Sequence, residues 1–290
     1  MKKKLFLSVI TIFCFLSVLT TSSFAITMID MNEGGYTPTD LAQALVGSGI
    51  TVSNVTLTGN GPQAAGMFQN FDMIGISSGI VLSSGDINYL ESSTNTSDNI
   101  TKDWGAVGDP DLDALIPGYT TYDAIALEFD FVAEGNPGEP VTCSFKYVFG
   151  SDEYDEYVDS AFNDVFGFFV NNTNIALIPG TTTPVSINNL NATSYSQYYN
   201  DNDLDVGAPY ATEMDGFTTV LYVNFDVIAG QTNHMKIAIA DAGDHILDSW
   251  VLIEAGSFTN EPIPEPTTVL LVSAGLIGVG LFSRSKFRKK

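Results

Sequence analysis

Phe217-Thr218-Thr219-Val220-Leu221-Tyr222-Val223-Asn224-Phe225-Asp226-Val227 sets Phe217, Thr219, Leu221, Val223, Phe225 and Val227 on one side of an alternation, with Thr218, Val220, Tyr222, Asn224 and Asp226 on the other. Successive side chains of a strand point to opposite faces, so a period of two predicts a strand with one wet face. Ile125, Leu127, Phe129 and Phe131 repeat the pattern against Ala126, Glu128 and Asp130. Further strands are expected at 80–83, 165–170, 175–177, 234–240 and 249–258. The loops between them are rich in Gly, Asn, Asp, Pro and Thr, and 188–207 is the longest. Many short strands with such loops predict an all-β chain, a β-sandwich of jelly-roll-like type. One short N-terminal helix is expected at 39–46, with Thr37 as N-cap, Pro38 in the first position and Asp40 completing a capping-box-like pattern. Its apolar face is Leu41, Ala44 and Leu45. No fixed-period repeat is visible, and 26–258 reads as one domain in which 86–120 is irregular and surface-exposed.

The two ends carry addresses. Lys2-Lys3-Lys4, an apolar stretch from 5 to 19 and Ser23-Phe24-Ala25 have the form of a secretory signal peptide, 1–25, cleaved after Ala25. Export machinery and a signal peptidase are the partners this implies. At the other end a Pro-rich stalk, 259–266, contains Pro264, Glu265 and Pro266. It leads into an uncharged run and a basic tail, 284–290. The run from Thr267 to Phe282 measures about 24 Å as a helix, slightly short of the roughly 30 Å hydrocarbon core. A transmembrane helix at 267–283 is therefore expected, crossing the inner membrane with its basic end in the cytoplasm. Pro-Glu-Pro, apolar helix and basic tail in this order resemble the PEP-CTERM sorting signal, which implies an exosortase-type processing enzyme and a helix that is a temporary hold.

All 34 Asp and Glu fall between Asp30 and Glu265, where Lys102, Lys146 and Lys236 are the opposing charges. Thirty-four negative charges against three positive leave the exported part at −31, which excludes nucleic acid as a partner. Cys143 stands alone once the signal is removed and shares the apolar face of an alternating strand, so it reads as a core residue. The acids cluster. Asp109, Asp111 and Asp113, and again Asp201, Asp203 and Asp205, place carboxylates at alternate positions, while Asp152-Glu153-Tyr154-Asp155-Glu156 gathers four in five residues. Oxygen donors so spaced suit Ca2+, although neither alternating run has the Gly and Glu of an EF-hand. Solvated loops are the alternative.

Phe149-Gly150-Ser151-Asp152-Glu153-Tyr154-Asp155-Glu156-Tyr157, then 162–169 beginning Phe162-Asn163-Asp164, then 240–256 with Asp241, Asp244, His245 and Asp248, resemble the signature blocks of the choice-of-anchor L domain of bacterial surface proteins. That resemblance implies an extracellular β-rich module displayed through varied anchors. From the residues themselves, Asp152, Glu153, Asp164, Asp244 and Asp248 are the candidate ligands of a structural calcium. The alternative is that Asp164 and Asp248 accept backbone hydrogen bonds at strand starts.

A catalytic constellation is not evident. His234 and His245 are accompanied by no nucleophile elbow or zinc-protease motif, and carboxylate pairs signal little among 34 acids. The expectation is a non-enzymatic, exported surface or extracellular-matrix protein with a structural or adhesive role. An exopolysaccharide-binding module is the alternative, on Tyr195, Tyr198, Tyr199 and Tyr210 near several Asn. A secreted hydrolase is the remaining one.

Overall fold

A computed structural model describes residues 25–262. The expected signal peptide up to residue 24, Pro264, Glu265, Pro266, the 267–283 helix and the basic tail lie outside the described residues. Among those described, no helix is long and apolar enough to cross a membrane.

Strands dominate. In chain order they are β1 (Thr27–Asp30), β2 (Ile50–Gly59), β3 (Ala65–Gln69), β4 (Ser78–Ser83), β5 (Thr121–Ala133), β6 (Pro140–Ser151) and β7 (Val165–Val170). There follow β8 (Thr173–Asn174), β9 (Tyr199–Asp201), β10 (Gly216–Thr218), β11 (Leu221–Ile228), β12 (Thr232–Ala242) and β13 (Ser249–Glu254). One antiparallel sheet runs β1-β3-β4-β13-β6-β10-β9, with β11 also paired to β6; the other runs β2-β5-β12-β7-β8.

The inner faces meet in an aromatic core. Phe145 and Tyr147 of β6 stand edge-on to Phe168 and Phe166 of β7, with ring centroids 4.6 and 5.0 Å apart. The expected alternation on β5 holds, since Ile125, Leu127, Phe129 and Phe131 are all fully buried. Cys143 is buried in the same core. β7 and β13 lack alternation because both of their faces are covered. Trp250 and Leu252 belong to an outer cluster with Phe68 and Phe217, and Val165 and Phe169 to another with Leu112.

Helix α1 (Met31–Gly34) is a single turn. α2 (Pro38–Leu45) matches the expected helix, with the Thr37–Asp40 capping box formed, and buries Leu41, Ala42 and Leu45. α3 (Pro110–Leu115) was not foreseen.

Four other expectations need correction. The 217–227 strand is two, β10 and β11. Thr218 Oγ1 accepts the Phe149 N–H at 3.1 Å and the Thr219 N–H turns to Tyr198 O at 2.8 Å, so the ladder with β6 is interrupted there. Residues 175–177 are not a strand, because Asn174 Oδ1 accepts the N–H of both Phe168 and Ala176 at 3.1 Å. The strand expected to 258 ends at Glu254, where the chain turns through Gly256 at φ 65°. Residues 86–120 are not all surface: Ile87, Leu90 and Leu112 are fully buried.

The registers define one end of the sandwich. Ser151 at the end of β6 faces Ser249 and Gly216, and Ser83 faces Trp250. In the other sheet Ala242 faces Thr121 and Ala240 faces Val165. The ends of β4, β6 and β12 and the starts of β5, β7, β10 and β13 therefore lie together.

Candidate functional site

That end is lined by carboxylates. Asp152 and Glu153 follow β6, Asp164 precedes β7, Asp215 precedes β10, and Asp248 precedes β13; Asp123 is in the start of β5 and Asp241 in the end of β12. Asp152 and Glu153 are 1% exposed and the other five 0%. Fully desolvated acids in this number need protons, donors or cations as partners.

Part of the demand is met by backbone. Asp164 accepts from Ala242 N at 2.8 Å and from Ser249 Oγ at 2.7 Å. The irregular segment 95–106 is held the same way. Thr96 donates its N–H to Glu213 at 2.8 Å, Ile100 donates to Asp152, Lys102 to Asp248 at 2.9 Å, and Trp104 to Asp123 at 2.9 Å. Asn95 Nδ2 donates to Asp215. A segment without regular structure thus satisfies its N–H groups on side chains from separate strands.

The rest of the demand is unmet. Neither oxygen of Asp241 takes a hydrogen bond of good geometry, nor do Asp152 Oδ1, Glu153 Oε2 and Asp215 Oδ2. The Ser84 hydroxyl and the Asp164 carboxyl are within reach of Asp241, and the Asp152 and Asp215 carboxyls are within reach of each other. Burial, first, and repulsion from Asp164, Asp248 and Asp123 push the Asp241 carboxyl well above the usual range. Burial likewise raises Asp164 and Asp152, against the donors that bind them. Burial raises Glu153, with Asp164 and Asp244 adding to the effect, and raises Asp215, with Asp152 adding. Asp248 is pushed up to about 7 by burial, with the Lys102 and Asp86 N–H groups opposing.

The five candidate ligands come to this end but not to one point. Glu153, Asp164 and Asp244 repel one another, with Asp241 facing Asp164; Asp152 belongs with Asp215, Glu213 and Asp248. Among the described residues, one trio of His, Cys, Asp or Glu has ligand atoms all within 4.8 Å of one another, and it is Asp103, Asp123 and His245. The carboxylates nearest His245 Nδ1 therefore come from across the fold, while Asp244 also feels its charge.

The alternating acids have other partners. Asp109 caps α3 and, with Asp111, holds Lys236 Nζ at 2.6 and 2.7 Å, while Asp113 accepts from Thr121 N at 2.7 Å. Asp203 caps the turn at Leu204–Val206, accepting from Asp205 N at 2.7 Å; Asp201 accepts from Asp203 N at 3.2 Å, and Asp205 is exposed. Of the tyrosines, Tyr198 and Tyr199 pack on the core, and Tyr210 stands edge-on to Phe217 at 4.9 Å. Tyr199 Oη donates to Asp155 at 3.1 Å. Tyr195 is the exposed one of the four.

A family model, the Choice-of-anchor L domain, matches residues 30–259. The chain belongs to the choice-of-anchor L family. In this choice-of-anchor L chain the matched span covers every strand except most of β1, and the whole carboxylate end. A second family model, the PEP-CTERM protein-sorting motif, matches residues 262–288. That motif marks the chain for export to the cell surface and for processing by exosortase-type machinery. No curated protein and no solved structure matches the chain.

Sequence reasoning passed over Asp215, Asp123 and Asp103 as site residues, and named Asp241 without choosing it. Two signals were present. By position in the sequence Asp123 continues the alternation of Ile125, Leu127, Phe129 and Phe131, and Asp241 that of Met235, Ile237 and Ile239, although the register slips between Ile239 and Asp241 and Asp123 takes φ 42°.

Proposed function

We propose that this chain is a non-catalytic structural component of the cell surface or extracellular matrix, and that calcium closes the carboxylate end of its sandwich. The observation that carries this reading is Asp241, fully buried with no donor in good hydrogen-bond geometry and set carboxyl to carboxyl with the equally buried Asp164. A hard divalent cation neutralises two such groups at once and completes its shell with backbone carbonyls and water, which the larger and more tolerant Ca2+ does more readily than Mg2+. The adjoining pair Asp164 and Asp241 supplies the ligand candidates of the first group, and the pair Asp152 and Asp215 those of the second. The order β4-β13-β6-β10 against β5-β12-β7-β8 supports a jelly-roll reading, with β1, β3 and β2 added at the edges.

Cys143 is a core residue, its thiol pushed up to about 12 by burial, with Asp226 adding, and it is not available as a nucleophile. Of the four tyrosines of the exopolysaccharide reading, Tyr198, Tyr199 and Tyr210 are partly buried and Tyr195 is exposed. The exported domain, 26–262, is to be melted in 2 mM calcium and in chelator. At a hundred times its dissociation constant one ion adds about 2.7 kcal/mol, so a clear rise in Tm with calcium is expected. Equal melting temperatures, with no ion retained in native mass spectrometry, overturn the proposal.

A further inference from the structure

The trio at the edge of this end has different chemistry from the oxygen-only groups. His245 Nδ1 lies 3.1 Å from Asp123 Oδ1 and 3.7 Å from Asp103 Oδ1. The Nδ1 atom is closed off from solvent and has no hydrogen bond of good geometry, so these approaches are ion pairs only if the ring is protonated. Two ligands on one tetrahedral zinc, each about 2.1 Å from it, stand about 3.4 Å apart. The two measured edges bracket that value.

The ligand atoms are held in place from outside. Asp123 is fully buried and accepts from Trp104 N at 2.9 Å and Ala106 N at 2.5 Å. Asp103 Oδ1 accepts from Gly105 N at 2.7 Å, and the imidazole lies against the Tyr122 ring with centroids 4.6 Å apart. Such outer contacts fix the orientation of ligating groups. A nitrogen donor with two carboxylates suits a borderline transition ion and not calcium, which takes oxygen.

We infer that Asp103, Asp123 and His245 form a binding site for a divalent transition metal of the zinc class, separate from the calcium groups. The ion ties three segments distant in sequence: the irregular 95–106 stretch, the start of β5 and the loop before β13. Asp103 is 64% exposed, so the remaining coordination position opens toward water.

The test uses the tag-free exported domain, 26–262, titrated with Co2+ and then Zn2+. One Co2+ per chain with visible absorption bands is expected, displaced by Zn2+ and unaffected by 2 mM calcium. Asp123 anchors backbone, so the informative variants are His245→Gln and Asp103→Ala. Each is expected to weaken Co2+ binding by at least about tenfold, the loss that outer-sphere changes alone produce. Undiminished binding in His245→Gln, displacement by calcium, or no uptake by the wild type overturns the inference. The calcium response of His245→Gln stays that of the wild type, which separates this site from the calcium reading.

Discussion

Ser249, the first residue of β13, donates its hydroxyl to Asp164, the residue before β7, at 2.7 Å, and this buried bond joins the two sheets. Removing a donor from a buried acid leaves the acid under-bonded, at a cost of about 1–3 kcal/mol. Ser249→Ala is therefore expected to lower the free energy of unfolding by that amount, read as a lower denaturation midpoint at unchanged m. If calcium sits on Asp164, the loss is larger in chelator than in calcium, and a loss identical in both speaks against calcium at this acid.

The raised carboxyls give stability a pH dependence of definite sign. Asp248 is lifted by burial to about 7 and Asp164 to about 8, against about 4 for an aspartate in an unfolded chain. Without a cation the folded chain holds protons that the unfolded chain has released. The resulting stability is full below about pH 4 and is lost as pH rises through 7 to 8. In chelator, Tm at pH 8 is expected to lie below Tm at pH 5. Calcium displaces those protons and binds better as pH rises, so it removes or reverses the fall. A chelated protein that melts higher at pH 8 would show that these carboxyls are not strained by burial.

Gly85 packs where a Cβ would run into the Asp248 carboxylate. That carboxylate is tied to Lys102 N at 2.9 Å and Asp86 N at 3.3 Å, so it has little room to swing aside. Gly85→Ala should cost about 1–3 kcal/mol through overpacking. It should also free 95–106, read as faster amide exchange at Lys102 than at residues of β5.

How much of this was legible follows the period-two rule and its failures. β5 announced itself through Ile125 to Phe131 because one face is buried among aromatics. β2 did not, although it is ten residues long. It lies at a sheet edge, Asn54 sits at φ 53°, and the register slips between Ser53 and Thr56, so its apolar residues fall out of phase. At the site the blocks around Asp152, Asp164 and Asp248 pointed to the correct end. Asp215 carried no local signal, because its burial comes from β6 and from Asn95, which is 120 residues away in sequence. Asp123 and Asp241 were readable by sequence position as charges in line with core residues, where a carboxylate is costly, although the register slip between Ile239 and Asp241 breaks the phase there.

Lys236 is one of three cations in the exported part and is 13% exposed between Asp109 and Asp111. Lys236→Met keeps the stem over Phe169 and removes the charge, leaving the cap of α3 beside an unpaired acid. A loss of about 1–2 kcal/mol is expected, below that of a fully buried pair because Asp111 is 58% exposed. The gap between wild type and variant should narrow from 0.05 M to 0.5 M salt, since the exposed half of the network is screened. A gap independent of salt would assign the loss to packing.

The last contacts of the domain say what processing leaves behind. Ser144 Oγ donates to Glu261 O, Thr259 N donates to Ser144 O at 3.0 Å, and Asn260 Nδ2 donates to Glu134 O at 2.9 Å. These bonds close the chain against β6 and β5 before Pro264, Glu265 and Pro266 are reached. A cut at the sorting motif therefore leaves these bonds in place. Protein recovered from the cell surface is expected to lack Arg284 to Lys290 and to melt at the same temperature as the 26–262 domain. Mass spectrometry of its C-terminal peptide decides the matter, because an intact basic tail on surface material means that the sorting signal acts as a permanent anchor.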